Sequence, residues 1–77
     1  MANRIVDITV HIDETLDPPS RQALTEKLRG EAGVVNATYS EEAPHLMIVE
    51  YDADRLDSAA LLGLVQRQGV HAELIGL

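Results

Sequence analysis

Apolar and polar residues alternate from Ile5 to Ile12, with Val6, Ile8, Val10 and Ile12 on one side and Asp7, Thr9 and His11 on the other. A period of two carried by β-branched residues predicts a strand buried on one face. After the loop Asp13 to Leu16, Asp17-Pro18-Pro19 reads as a helix start, because Asp caps free N–H groups and Pro is tolerated where those groups lack partners. Leu24 and Leu28 then form an i, i+4 face with Ala23 beside them. Arg21, Gln22, Thr25, Glu26 and Arg29 are expected to face water, and the helix to end near Gly30 to Gly33. Val34 to Ser40 predicts a second strand, Glu41-Glu42-Ala43-Pro44 a hairpin loop, and the dense apolar run Leu46 to Tyr51 a third strand. Asp57 caps a second helix whose stripe is Leu61, Leu64, Val65 and Gln68, widened by Leu62. Gly69 is placed just past its end, and His71 to Leu77 forms a last strand.

The order β-α-β-β-α-β predicts an α+β fold, a ferredoxin-like sandwich. It has a four-stranded antiparallel sheet of order 4-1-3-2 and both helices on one face. With 77 residues there is room for one domain, 1–77, and a chain of this size buries only about 60% of its unfolded surface. Phe and Trp are absent, so the core must be built from Leu, Ile, Val and Ala. Cysteine is absent too, which excludes disulfides, thiolate metal sites and thiol catalysis. Thirteen acids against six Lys and Arg give a net charge of −7, a field that repels phosphate backbones and anionic lipid and favours basic proteins or cations. No signal-peptide core or membrane-length apolar run is evident, so the expectation is a soluble, cytoplasmic protein with no nucleic-acid or membrane partner. No Ser/His/Asp arrangement, phosphate-binding glycine loop or buried carboxylate pair can be argued from the spacing, and the expectation is that the chain is not an enzyme.

Leu28, Gly33-Val34, Val49-Glu50-Tyr51-Asp52, Leu56, Leu61, Val65 and Gly69 together follow a familiar spacing. The chain resembles the heavy-metal-associated domain of copper chaperones and metal-pumping ATPases, from Ile5 to Leu77. The resemblance implies that the family's Met-x-Cys-x-x-Cys loop falls on Thr15-Leu16-Asp17-Pro18-Pro19-Ser20. Thr15 then stands at the Met position, Asp17 and Ser20 at the thiolate positions, and Val70 where an aromatic often follows. Carboxylate and hydroxyl oxygens do not suit a soft monovalent ion, so no ligand is carried over and Asp17 is read as a helix cap.

The remaining chemistry lies in three histidines expected at one end of the sheet. His11 alternates with the inward Val10 and Ile12 and so belongs to the open face. Ala72 and Leu74 as inward residues put His71 and Glu73 there too. Since the first and last strands are neighbours in this topology, His11 and His71 are expected to be near cross-strand partners, aided by Asp13 or Glu73. Such a pair would suit Zn, Ni or divalent Cu, and would titrate near neutral pH without metal. His45 shares parity with Met47 and Val49 and is expected to point toward the helices if the strand reaches that far. The bland alternative is a set of solvated surface histidines with no cofactor. On the open face, Leu46 and Ile48 are flanked by Thr9, His11 and Thr38, with Ile75 as an addition. Aliphatics there are common in central strands, but they also make a patch for self-association or a basic protein partner. Asp7, Glu50 and Glu73 would form its margin. Three functions follow: an interaction or accessory module that has lost soft-metal binding, a metal-handling domain with His and carboxylate ligands, or a small-molecule-sensing regulatory domain. No Gly lies between Asp13 and Pro19, where such sensors bring a ligand against the backbone, and this counts against the third.

Overall fold

The computed structural model describes residues 4–75. Along the chain run β1 (Ile5–Ile12), α1 (Pro18–Arg29), β2 (Val34–Tyr39), β3 (Leu46–Asp52), α2 (Ser58–Gln66) and β4 (Ala72–Ile75). The strands form one antiparallel sheet in the order β2-β3-β1-β4, as the element pattern predicts. Ile8, Val10 and Ile12 of β1, Ala37 of β2, and Met47, Val49 and Tyr51 of β3 are buried in one cluster with Leu24, Leu28, Leu61 and Val65 of the two helices. Both helices therefore cover the same face, and the other face of the sheet is bare. Val6, expected in the inward set, is exposed near the end of β1.

Each helix starts where a carboxylate can accept an orphan N–H. Asp17 Oδ1 accepts from the Ser20 amide at 2.9 Å, and Pro18 and Pro19 fill first-turn positions that need no donor. Asp57 Oδ1 accepts from the Ala60 amide at 2.7 Å. Thr25 was expected to face water but is buried. Its hydroxyl donates to the Gln22 carbonyl at 3.0 Å, so the side chain enters the core with its polar group satisfied. Ala23, expected beside the Leu24–Leu28 face, is exposed. Helix α2 stops at Gln66, and a turn through Arg67, Gln68 and Gly69 follows, with Gly69 at φ 91°. Strand β4 begins at Ala72 rather than at His71, while the last two residues of the predicted strand lie outside the described residues.

Two features discipline the chain between α1 and β3. Gly33 has φ 92°, and its carbonyl accepts from the Asp52 amide at 2.8 Å, while an added Cβ would lie 2.8 Å from Leu56 Cγ. Beyond it the β2–β3 register shifts between Val34 and Asn36, which leaves Val35 exposed in a bulge on an outer strand. Next to the bulge, both main-chain groups of Ala37 are taken by side chains. Its amide donates to Asn36 Oδ1 at 2.9 Å, and its carbonyl accepts from the Arg29 guanidinium at 2.8 Å.

Candidate functional site

All three histidines hold the loop that follows β1, each by a different contact. His45 lies just outside β3, so strand parity does not govern it and its ring does not turn toward the helices. Its Nδ1 is 2.7 Å from the Ile12 carbonyl, and its Nε2 is 3.4 Å from Thr15 Oγ1. A carbonyl only accepts, so Nδ1 must carry the proton and Nε2 is left to accept from the threonine hydroxyl. The ring stacks on that of His11, with centroids 5.7 Å apart and planes 16° apart.

His11 is half-buried in β1, opposite Leu46 on one neighbour and Glu73 on the other. Its Nδ1 is 3.1 Å from Asp13 Oδ1 and 4.0 Å from Glu73 Oε1. Ligand-capable atoms of His11, Asp13 and Glu73 all lie within 4.8 Å of one another. The expected His11–His71 partnership does not form. The β1–β4 register puts Glu73 opposite His11, and the Asp13 amide donates to the His71 carbonyl at 2.9 Å.

His71 instead meets Glu14, which sequence reasoning missed, since nothing in the spacing singles out one loop acid among thirteen. The His71 amide donates to Glu14 Oε1 at 2.9 Å, and the ring Nδ1 is 2.7 Å from Oε2. The hydrogen bond from His71 holds the Glu14 carboxyl below its usual range, and the same contact raises the His71 imidazole. Asp17 is also held low, by its hydrogen bonds from Ser20. Tyr39, at the end of β2, has a buried hydroxyl with no protein partner among the described residues and its proton is held by burial. The Arg21 guanidinium lies 5.9 Å from the centre of its ring.

The open face is ordered by register into three rows. Thr38, Ile48, Thr9 and Ile75 run across all four strands, with Ile48 at 43% and Ile75 at 44% exposure. Beside them on one flank are Asn36, Glu50 and Asp7, and on the other Leu46, His11 and Glu73. Leu46 is half-buried, so within these rows the exposed apolar surface is carried by Ile48 and Ile75, and Ile5, 45% exposed and of the same strand parity as Asp7 and Thr9, adds to it at the start of β1.

No family profile and no curated protein matches the sequence. Solved structures do match, and what they share with this chain is the fold, a compact ferredoxin-like sandwich. A copper-binding domain from HMA7, a P-type ATPase, matches with a TM-score of 0.80 over 91% of this chain and 93% of that one, at 16% identity. Oxidized MerP from Ralstonia metallidurans CH34 gives 0.80 over 94% and 99%, at 11% identity. The CopZ metallochaperone gives 0.72 over 91% and 100%, at 16% identity.

The loop does not fit a soft monovalent metal. Thr15, Asp17 and Ser20 are all exposed, the Asp17 carboxylate is engaged in capping α1, and the chain has no thiol. Among the described residues, no helix is long and apolar enough to cross a membrane.

Proposed function

We propose that this chain is a heavy-metal-associated domain without the soft-metal site, a non-enzymatic, cytoplasmic accessory module that docks its open sheet face on a basic protein partner. The observation that carries this reading is the Thr38–Ile48–Thr9–Ile75 row, in which two exposed isoleucines alternate with threonines between two acid-bearing rows. Full burial of an isoleucine side chain is worth about 1.5–3 kcal/mol, so completing the burial of two half-exposed ones adds about 1 kcal/mol each. That is enough to bias docking, and the charges must supply selectivity. Asp7 and Glu50 on one flank and Glu73 on the other attract a surface bearing Lys or Arg and repel a second copy with the same acids.

The test is capture of binding proteins by the wild type and by Ile48→Asp, followed by an amide-shift footprint of the purified complex. Capture lost in Ile48→Asp, weakened by salt, with a footprint on Thr9, Ile48 and Ile75, supports the proposal. Equal capture by the variant, or a footprint on the helices, sinks it. A concentration-dependent mass in light scattering that Ile48→Asp abolishes would assign the face to a second copy instead.

A further inference from the structure

We propose that His11 Nδ1 and the carboxylates of Asp13 and Glu73 bind a divalent cation of borderline hardness, of the Zn²⁺ or Ni²⁺ class, at the β1–β4 end of the open face. One imidazole and two carboxylates form a mixed N/O donor set that suits these ions and not a soft monovalent one. Ligand atoms about 2.0–2.2 Å from such an ion stand roughly 3.3–3.6 Å from one another in a tetrahedral shell and roughly 2.8–3.1 Å, for neighbouring ligands, in an octahedral one. His11 Nδ1 and Asp13 Oδ1 already have that spacing at 3.1 Å. Glu73 Oε1, 4.0 Å from His11 Nδ1 and within 4.8 Å of the Asp13 ligand atom, must move in by about 1 Å, which an exposed glutamate can do by rotation.

The scaffold holds the donors in place by different means. Backbone register fixes Glu73 opposite His11, and Asp13 follows His11 by two residues. The His45 ring, tied through Nδ1 to the Ile12 carbonyl, lies against the His11 ring and restrains its plane. His71, two residues from Glu73, is held by Glu14 and does not compete for the ion. Asp13 and Glu73 also line an open cavity of about 400 Å³ with His71, Ala72, Val70 and Gln66, which leaves room for water to complete the shell. A neutral His11 binds through Nδ1 as the Nε2–H tautomer, so the ion takes the place of the proton now shared with Asp13. The site lies on the strands and not in the loop where the family resemblance puts thiolates. It is independent of the docking proposal, because it needs no partner.

Titration of the intact chain with ZnCl₂ and then NiCl₂ at pH 7, read by amide and imidazole NMR, tests it. One saturable event with shifts centred on His11, Asp13 and Glu73 is expected. Glu73→Gln and His11→Ala should each weaken it at least tenfold with amide dispersion unchanged, and His71→Ala should leave affinity within twofold. Three results would overturn the site. These are no saturation by 1 mM metal, binding that survives both Glu73→Gln and His11→Ala, or binding lost in His71→Ala. Glu73 is a surface residue, so Glu73→Gln keeps the test decisive even if His11→Ala fails to fold.

Discussion

Gly33 and Gly69 form a natural pair for separating backbone strain from steric exclusion. Their φ angles are 92° and 91°, but a Cβ at Gly69 meets nothing within 4 Å, whereas one at Gly33 lies 2.8 Å from Leu56 Cγ and 3.0 Å from Leu56 Cδ1. An L side chain forced to positive φ costs about 1–2 kcal/mol. Gly69→Ala should therefore lose about that and no more. Gly33→Ala adds the displacement of Leu56, which packs against the core, and over-filling of this kind costs about 1–3 kcal/mol further. The backbone cannot swing aside freely, because the Gly33 carbonyl is bonded to the Asp52 amide. Total stability for 77 residues is about 4–12 kcal/mol at the usual value per residue, so Gly33→Ala consumes a large part of it. Urea unfolding should place the Gly33→Ala midpoint lower than that of Gly69→Ala by about 1 M or more, for an m-value near 1 kcal/mol/M. In a Leu56→Ala background the clash is gone, and Gly33→Ala should there cost only the backbone part. Equal costs for the two glycines, or an undiminished cost in the Leu56→Ala background, would refute the steric reasoning.

Asp57→Ala should destabilise the fold by about 1 kcal/mol in urea unfolding, and Asp57→Asn should retain most of the stability because its side-chain oxygen can still accept from Ala60. The His71–Glu14 contact makes stability depend on pH at both ends of a window. Glu14 is lowered from 4.5, so its contribution is present above that value and is lost as pH falls through the folded-state pKa. His71 is raised from 6.5, so its contribution is present below that value and is lost as pH rises through its folded-state pKa. The pair therefore contributes most between about pH 4.5 and 6.5, and Glu14→Gln should flatten the pH profile of the melting temperature on both sides. Both groups are solvent-accessible, so added salt should shrink the difference.

How far the structure could be read in advance depends on what kind of rule each residue obeys. The bounds Ile5 to Ile12 and the inward Ile8, Val10 and Ile12 were legible because alternation with β-branched side chains leaves a strand one choice of inward face, although Val6 near its start is exposed. Asp17 and Asp57 were legible because capping is a local contact within three residues. Several departures share a cause: a side chain with a local way out of the pattern. Thr25 looked solvent-facing on a helical projection, but its bond to the Gln22 carbonyl lets it sink inward. His45 would turn inward by parity only if the strand reached it, but β3 begins one residue later and its ring is free to reach back to Ile12. His71 looked like a partner of His11, but the strand starts at Ala72 and an acid on the opposite loop claims its ring. The family spacing was carried by core positions and by glycines that hold turns at positive φ, and such positions determine a fold without determining what it binds.

Strand β2 has a neighbour on one side only, and a bare strand edge is a template on which another chain can add itself. Here the bulge breaks the regular repeat at Val35, and Arg29 and Asn36 occupy the main-chain groups of Ala37. An incoming strand would have to displace a guanidinium and an amide before making its first rung. Extension of the sheet from that side into fibrillar aggregates is thereby opposed by chemistry built into the strand. Loss of Arg29 should expose this hazard before it costs the domain its native shape.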